Sequence, residues 1–158
     1  MKTTLVFALL LIAGRSLIAG EFGVIGHFNN ASSADGGEHC SGYSLDLWDA
    51  KGRLLGLMHR HSGLCGDPPC AVIESASLDR KTGSLHFNSL IGPEKFVFSG
   101  SLGREDVAGK LNGRRVRLKR EPPGAGTFEP DTSLVAWCSF WERVPRCTGV
   151  KELCNTLR

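Results

Sequence analysis

Tyr43-Ser44-Leu45-Asp46-Leu47-Trp48, then Asp49-Ala50-Lys51-Gly52, then Arg53 through His61, is the stretch that decides the fold. Successive side chains of an extended strand point to opposite sides of the pleat, so Tyr43, Leu45 and Leu47 share one face. Residues 49–52 carry turn chemistry and residues 53–61 return, which makes the segment an antiparallel hairpin.

The pattern continues in both directions. Upstream, Phe22 to Phe28 is a first strand, followed by a polar, Gly- and Ser-rich loop from Asn29 to Gly42. Downstream, Ala71–Leu78 and Ser84–Ile91 flank the turn Asp79-Arg80-Lys81-Thr82-Gly83, and Phe96–Leu102 and Asp106–Leu111 flank Gly103-Arg104-Glu105. Asn112-Gly113 is a type I′ turn signal, because both central positions need φ > 0, and it leads into Arg114–Arg120. Eight consecutive antiparallel strands between Glu21 and Arg120 predict closure of the first on the last, since an open meander leaves two edges free to pair with other chains. The expected fold is mainly β: an eight-stranded antiparallel up-and-down barrel with a C-terminal helical segment. A two-layer β-sandwich is the alternative.

At this point the chain resembles the calycins, the group of lipocalin- and avidin-like barrels. Gly26-His27-Phe28 stands where those barrels often carry Gly-x-Trp on the first strand, and a helical segment follows the eighth strand. The resemblance is one of architecture over residues 22–143; Phe replaces Trp, and no ligand chemistry is carried over.

The interior of an eight-stranded barrel is just wide enough to be filled by side chains or to hold one small ligand. The expected inward set is Leu45, Leu47, Leu85, Phe87, Phe96, Phe98, Val107, Leu111, Val116 and Leu118, mostly large, which predicts a packed lumen. Gly100 and Gly109 leave room for a pocket at one end. Glu74 is expected to face water, with Ile73 inward.

Three regions follow: residues 1–20 as a secretory signal, 21–120 as the barrel, and 121–158 as a connector and a tethered C-terminal helical segment. Met1-Lys2 and the apolar run Leu5–Ala13 have the charged and hydrophobic parts of a signal. That run is far shorter than the about 20 apolar residues a spanning helix needs. Lys2 and Arg15 lie in residues 1–20, so without that segment the 19 basic residues fall to 17 against 16 acidic ones. This near-neutral balance argues against a dedicated nucleic-acid protein. Beyond the barrel, Glu121-Pro122-Pro123-Gly124-Ala125-Gly126 breaks regular structure and acts as a connector. Asp131 or Thr132 is the expected helix cap; Leu134, Trp137, Cys138 and Trp141 recur at helical spacing, so one face can lie on the barrel wall. Pro145 ends that helix, and Thr148–Leu157 forms a further turn or two.

Six cysteines, Cys40, Cys65, Cys70, Cys138, Cys147 and Cys154, fit an oxidising compartment, secreted or periplasmic, in which all are paired. The short Gly66-Asp67-Pro68-Pro69 spacer favours a Cys65–Cys70 bridge. Cys40 would then pair with Cys138, Cys147 or Cys154 and fix the C-terminal segment to the loop rim. Asn30-Ala31-Ser32 matches the N-glycosylation acceptor pattern.

Topology supplies the functional expectation. Alternate connections of such a barrel share one end, so loops 29–42, 62–70, 92–95 and 112–113 form one rim, and function tends to reside on long loops held by a rigid scaffold. His39, His59, His61 and Asp67 near this rim are the candidate binding residues. His59-Arg60-His61 has metal-like spacing, since i and i+2 share a strand face, but two ligands do not make a site and the histidines read as solvent-facing. No catalytic motif and no cofactor motif is present. Arg114, Arg115, Arg117, Lys119 and Arg120 make the last strand basic, read as a solvated face with Val116 and Leu118 inward. The leading expectation is a non-enzymatic binding protein, an inhibitor or recognition factor, engaging an extracellular or periplasmic protein through the rim. Carriage of a small apolar ligand is second, and an enzyme of unknown chemistry third.

Overall fold

The computed structural model describes residues 22–122 and 133–158. The signal segment 1–20 and the expected cap residues Asp131 and Thr132 lie outside them. Eight strands make the barrel: β1 (Phe22–Asn29), β3 (His39–Ala50), β4 (Arg53–Leu64), β5 (Cys70–Leu78), β6 (Ser84–Ile91), β7 (Glu94–Leu102), β8 (Asp106–Leu111) and β9 (Arg114–Arg120). Each pairs with its neighbour in sequence, and β1 pairs with both β3 and β9, so the barrel is closed, antiparallel and up-and-down. This settles the fold as a barrel rather than a sandwich. Two further strands decorate it: β2 (Ser32–Ala34), added to the edge of β3, and β10 (Cys147–Thr148), parallel to the start of β5. Helices α1 (Leu134–Trp141) and α2 (Val150–Leu157) complete the chain. Among the described residues no helix is long and apolar enough to cross a membrane.

Period-2 alternation divides the apolar residues into two cores. Inside the barrel, Phe28, Leu45, Leu47, Met58, Ile73, Leu85, Phe87, Phe96, Phe98, Val107, Leu111 and Leu118 are buried together, with Val116 packed against them. The expected inward set is therefore the lumen. Glu74 is exposed and Ile73 is buried, as the alternation requires. The glycine pair does not leave a pocket. Gly100 and Gly109 are register partners, and a Cβ on Gly109 would come within 2.4 Å of the Ser99 carbonyl oxygen and 2.9 Å of the Phe98 ring. The Phe98 ring fills the space they leave and stacks on Phe87 at 5.0 Å.

The second core lies outside the barrel wall. Trp48, Leu55, Leu57 and Val72 point outward and are covered by Trp137, Trp141, Val150 and the Cys138–Cys154 disulfide. Trp48 and Trp137 meet edge to face at 5.4 Å, a geometry favoured by the ring quadrupoles. Ser133, not Asp131 or Thr132, caps α1, its hydroxyl accepting from the Ala136 N–H.

Closure has its own fastening. The Arg120 guanidinium on the last strand lies over the Phe28 ring, 4.6 Å from its centroid, and donates to the Ile25 carbonyl of the first strand. A Cβ on Gly26 would come within 2.2 Å of that guanidinium, so the glycine of Gly26-His27-Phe28 is what lets Arg120 cross the seam.

The disulfides differ from those expected. They are Cys40–Cys65, Cys70–Cys147 and Cys138–Cys154, and no cysteine is free. Cys65 and Cys70 do not pair because β3 and β4 run on past the barrel, with Cys40 opposite Gly63 and His39 opposite Leu64, which brings Cys65 beside Cys40. Cys70 turns to the outer wall instead, where Cys147 is its register partner. The C-terminal segment is thus fixed to the wall at β5 and not to Cys40.

Candidate functional site

Two places collect polar side chains near the long-loop end. The first is an arm. Beyond Ser44 and His59, β3 and β4 continue as a ribbon, β2 adds a third strand, and a 3-10 turn at Asp35–Gly37 forms the tip, with Asp35, Gly36 and Gly37 all at positive φ. Positive φ at Asp35 is an uncommon conformation for a residue with a side chain. Ser41, Ser62, Gly63 and Leu64 are exposed, Leu64 by 79%. Cys40–Cys65 clamps the two long strands, and the Cys65 N–H donates to the Glu38 carbonyl at 2.8 Å. The segment expected as a loop, 29–42, is therefore largely a stapled β-ribbon.

The second is a network on the outer wall. His27 on β1 is the register partner of Asp46 on β3, and Ser44 is that of His59 on β4. These parities place His27, Ser44, Asp46, His59 and His61 on one outward face. The Asp46 carboxylate accepts from His27 Nδ1 and, at 2.8 Å, from His59 Nε2. Ser44 Oγ and His61 Nε2 are 3.0 Å apart. The network sits at the margin of the helical cover, with the Trp141 ring centroid 6.0 Å from that of His59. Asp46 and His59 are nearly enclosed, their side chains 8% and 12% exposed.

Burial on its own would raise the Asp46 pKa, but the hydrogen bonds and charges of the two histidines outweigh it and hold the carboxyl at about 2. His27 is raised: burial lowers it, and the hydrogen bond and charge of Asp46, helped by Glu121, more than compensate. His61 is lowered, first by burial and then by the nearby charges of His59 and His27. Since the ionised Asp46 can only accept, His27 is protonated at Nδ1 and His59 at Nε2.

Chemically this is a charge network and not a nucleophile relay. In a Ser-His-Asp relay the acid orients the histidine that holds the serine. Here Asp46 holds His27 and His59, while Ser44, itself buried, faces His61. Among the described residues no group of three or more His, Cys, Asp or Glu side chains is arranged to hold a metal ion.

The four expected binding residues are divided between these places. His59 and His61 share the outer-wall network, and His59 is enclosed rather than solvent-facing. His39 lies on the arm, five positions along β3 from Ser44, roughly 17 Å at 3.4 Å per residue. It is exposed, with its ring 3.5 Å from the Asp35 carboxylate. Asp67 is exposed in the β4–β5 connection, where its carbonyl accepts from Arg146. Sequence reasoning missed His27, Ser44 and Asp46. The available signal was parity: each alternates with the inward residues Phe28, Leu45 and Leu47.

Comparison with family models, with curated proteins and with solved structures returns no match for this chain.

Proposed function

We propose that this protein is a secreted, non-enzymatic recognition module with a calycin-like barrel, which engages a protein partner through the disulfide-clamped arm at its long-loop end. The observation that carries this reading is the arm itself. A ribbon that leaves the barrel buries little, yet it is clamped by one disulfide and sealed at its tip by backbone turns. Such pre-ordering lowers the entropy lost on docking and suits a contact surface. Leu64 supplies an exposed apolar anchor, flanked by His39 and the polar residues of β2. A lumen filled with aromatic and aliphatic side chains favours the surface over the interior as the place of recognition. Three disulfides fit an oxidising compartment.

The test is site-directed photo-crosslinking in the native extracellular or periplasmic fluid. A photoreactive residue at position 39 or 64 should capture one partner, and one at position 81, in the turn at the opposite end, should not. Equal capture from both ends, or capture from neither arm position, would sink the reading.

A further inference from the structure

The outer wall away from the helices carries a separate feature. On β8 and β9 the lumen takes Val107, Leu111, Val116 and Leu118, so Lys110, Arg115, Arg117 and Lys119 all stand on the opposite, solvent face. Lys110 and Arg115 are direct register partners. Like charges placed directly opposite each other on adjacent strands destabilise the pair. Along β9 the three cations are spaced by two residues, roughly 6.7 Å, and strand spacing puts Lys110 about 4.8 Å from the β9 backbone. Asp106 is the one acid on this stretch of wall, and it is engaged by Arg117. Among the described residues no carboxylate forms an ion pair with Lys110, Arg115 or Lys119.

Lys110, Arg115 and Arg117 border an open trough of about 710 Å³, lined otherwise by Ser99, Ala108, Gly109 and Val116. Small side chains on the floor let a chain lie close to the sheet while the long basic side chains reach over it. The exposed wall of β7 next to it contributes Lys95, Val97, Ser99 and Ser101. This composition selects among polyanions. Single-stranded nucleic acid binds on aromatic platforms, and none of these outward residues is aromatic. A membrane surface calls for protruding apolar residues beside the cations, and here Val97 alone is apolar and large. A linear polysaccharide bearing sulfate groups needs neither: it needs cations repeating on the scale of its sugar units and a shallow bed.

We propose that the outer face of β7–β9 is a binding surface for a linear sulfated polysaccharide, held by Lys110, Arg115, Arg117 and Lys119. Such an anion relieves the Lys110–Arg115 repulsion and displaces counterions from both partners. This is independent of the arm, which lies at one end of the barrel and not on this wall.

The experiment measures binding of a heparin-derived octasaccharide across a salt series, with anionic phosphatidylserine vesicles and single-stranded DNA as competing probes. The octasaccharide should bind with log K falling roughly three to four times as steeply as log salt rises, at about 0.7–0.9 counterions for each of the four cations. The double substitution Lys110→Ser/Arg115→Ser, at exposed positions, should lower affinity at least tenfold and flatten the slope, with an unchanged circular dichroism spectrum. Lys151→Ser on α2 and Leu64→Ser on the arm should leave it unaltered. No binding, an unchanged affinity in the double variant, an equal loss in the Lys151 variant, or tighter binding of vesicles or DNA would each overturn the proposal.

Discussion

Replacing Asp46 by asparagine keeps the shape of the side chain and removes the charge that holds two histidines on the outer wall. The folded carboxyl has a pKa of about 2 against an ordinary 3.8. At 1.36 kcal/mol per unit this depression is worth about 2 kcal/mol of stability. Because the folded value is depressed, that contribution is complete above the unfolded pKa, near pH 4, and is lost as pH falls through the folded value. Asp46→Asn also forfeits a hydrogen bond, since an amide oxygen accepts from one histidine while its NH₂ faces the other, but that loss is present at every pH. The diagnostic is therefore the change in the difference between the two proteins. Urea unfolding followed by tryptophan fluorescence should show the wild type's advantage shrinking by about 2 kcal/mol between pH 5 and pH 2. Other carboxylates, including Asp79, whose pKa is also lowered, cancel in this comparison. His27 provides a second readout. Its pKa is raised by Asp46 against the effect of burial, so its own contribution is present below its ordinary 6.5 and fades as pH rises through the folded value. Without the aspartate, burial prevails and its proton NMR titration should move from above 6.5 to below it. A stability difference that stays constant from pH 5 to pH 2, or a His27 titration unmoved by the substitution, would refute the account of this network.

Peptide mapping of non-reduced protein should recover Cys40–Cys65, Cys70–Cys147 and Cys138–Cys154 with no alkylatable thiol; a peptide bridged between Cys65 and Cys70 would contradict the extended β3–β4 arm. Phe98→Ala, at the centre of the lumen and over the Gly100–Gly109 pair, should cost about 3–5 kcal/mol in urea unfolding, as large aromatic truncations do in cores that cannot collapse. Gly109→Ala should destabilise by roughly 1–3 kcal/mol because its Cβ meets the Ser99 carbonyl and the Gly100 backbone; a neutral outcome would mean the two strands are less closely apposed.

The barrel was legible because a strand with a core on one side must alternate, as β6 and β7 do most plainly around large inward residues. The arm was not, for the same reason. Cys40-Ser41-Gly42 and Ser62-Gly63-Leu64 pair in register, but that ribbon has no core on either side and so nothing to alternate against. Small and polar residues there read as loop, and with the strands cut short Cys65 stood nearest in sequence to Cys70 rather than nearest in space to Cys40. The outer-wall network was half legible. His59 and His61 showed their shared face through i, i+2 spacing. Asp46 stands between two inward leucines, so parity alone sends it outward, and what covers it is the pair His27 and His59, the latter beside Trp141 of a helix almost ninety residues later in the chain.

Where that helix docks was nonetheless encoded on β4. Leu54, Leu55, Leu57 and Met58 are apolar on both parities, and the structure sorts Leu54 and Met58 into the lumen and Leu55 and Leu57 into the outer core. A strand covered on both faces loses its alternation, as strands buried between two layers do. The apolar face of α1, with Trp137 and Trp141, therefore had one matching wall, and β9, whose outward positions are Arg115, Arg117 and Lys119, was its opposite. The exterior of the barrel is thereby divided: the β3–β5 wall spends its outward residues on the helical cover, and the β7–β9 wall keeps its charges in water. A recognition surface has to be built from what packing leaves free, which among the described residues directs attention to the clamped arm and the basic wall, and away from the tryptophans, whose rings are committed to holding the C-terminal segment in place.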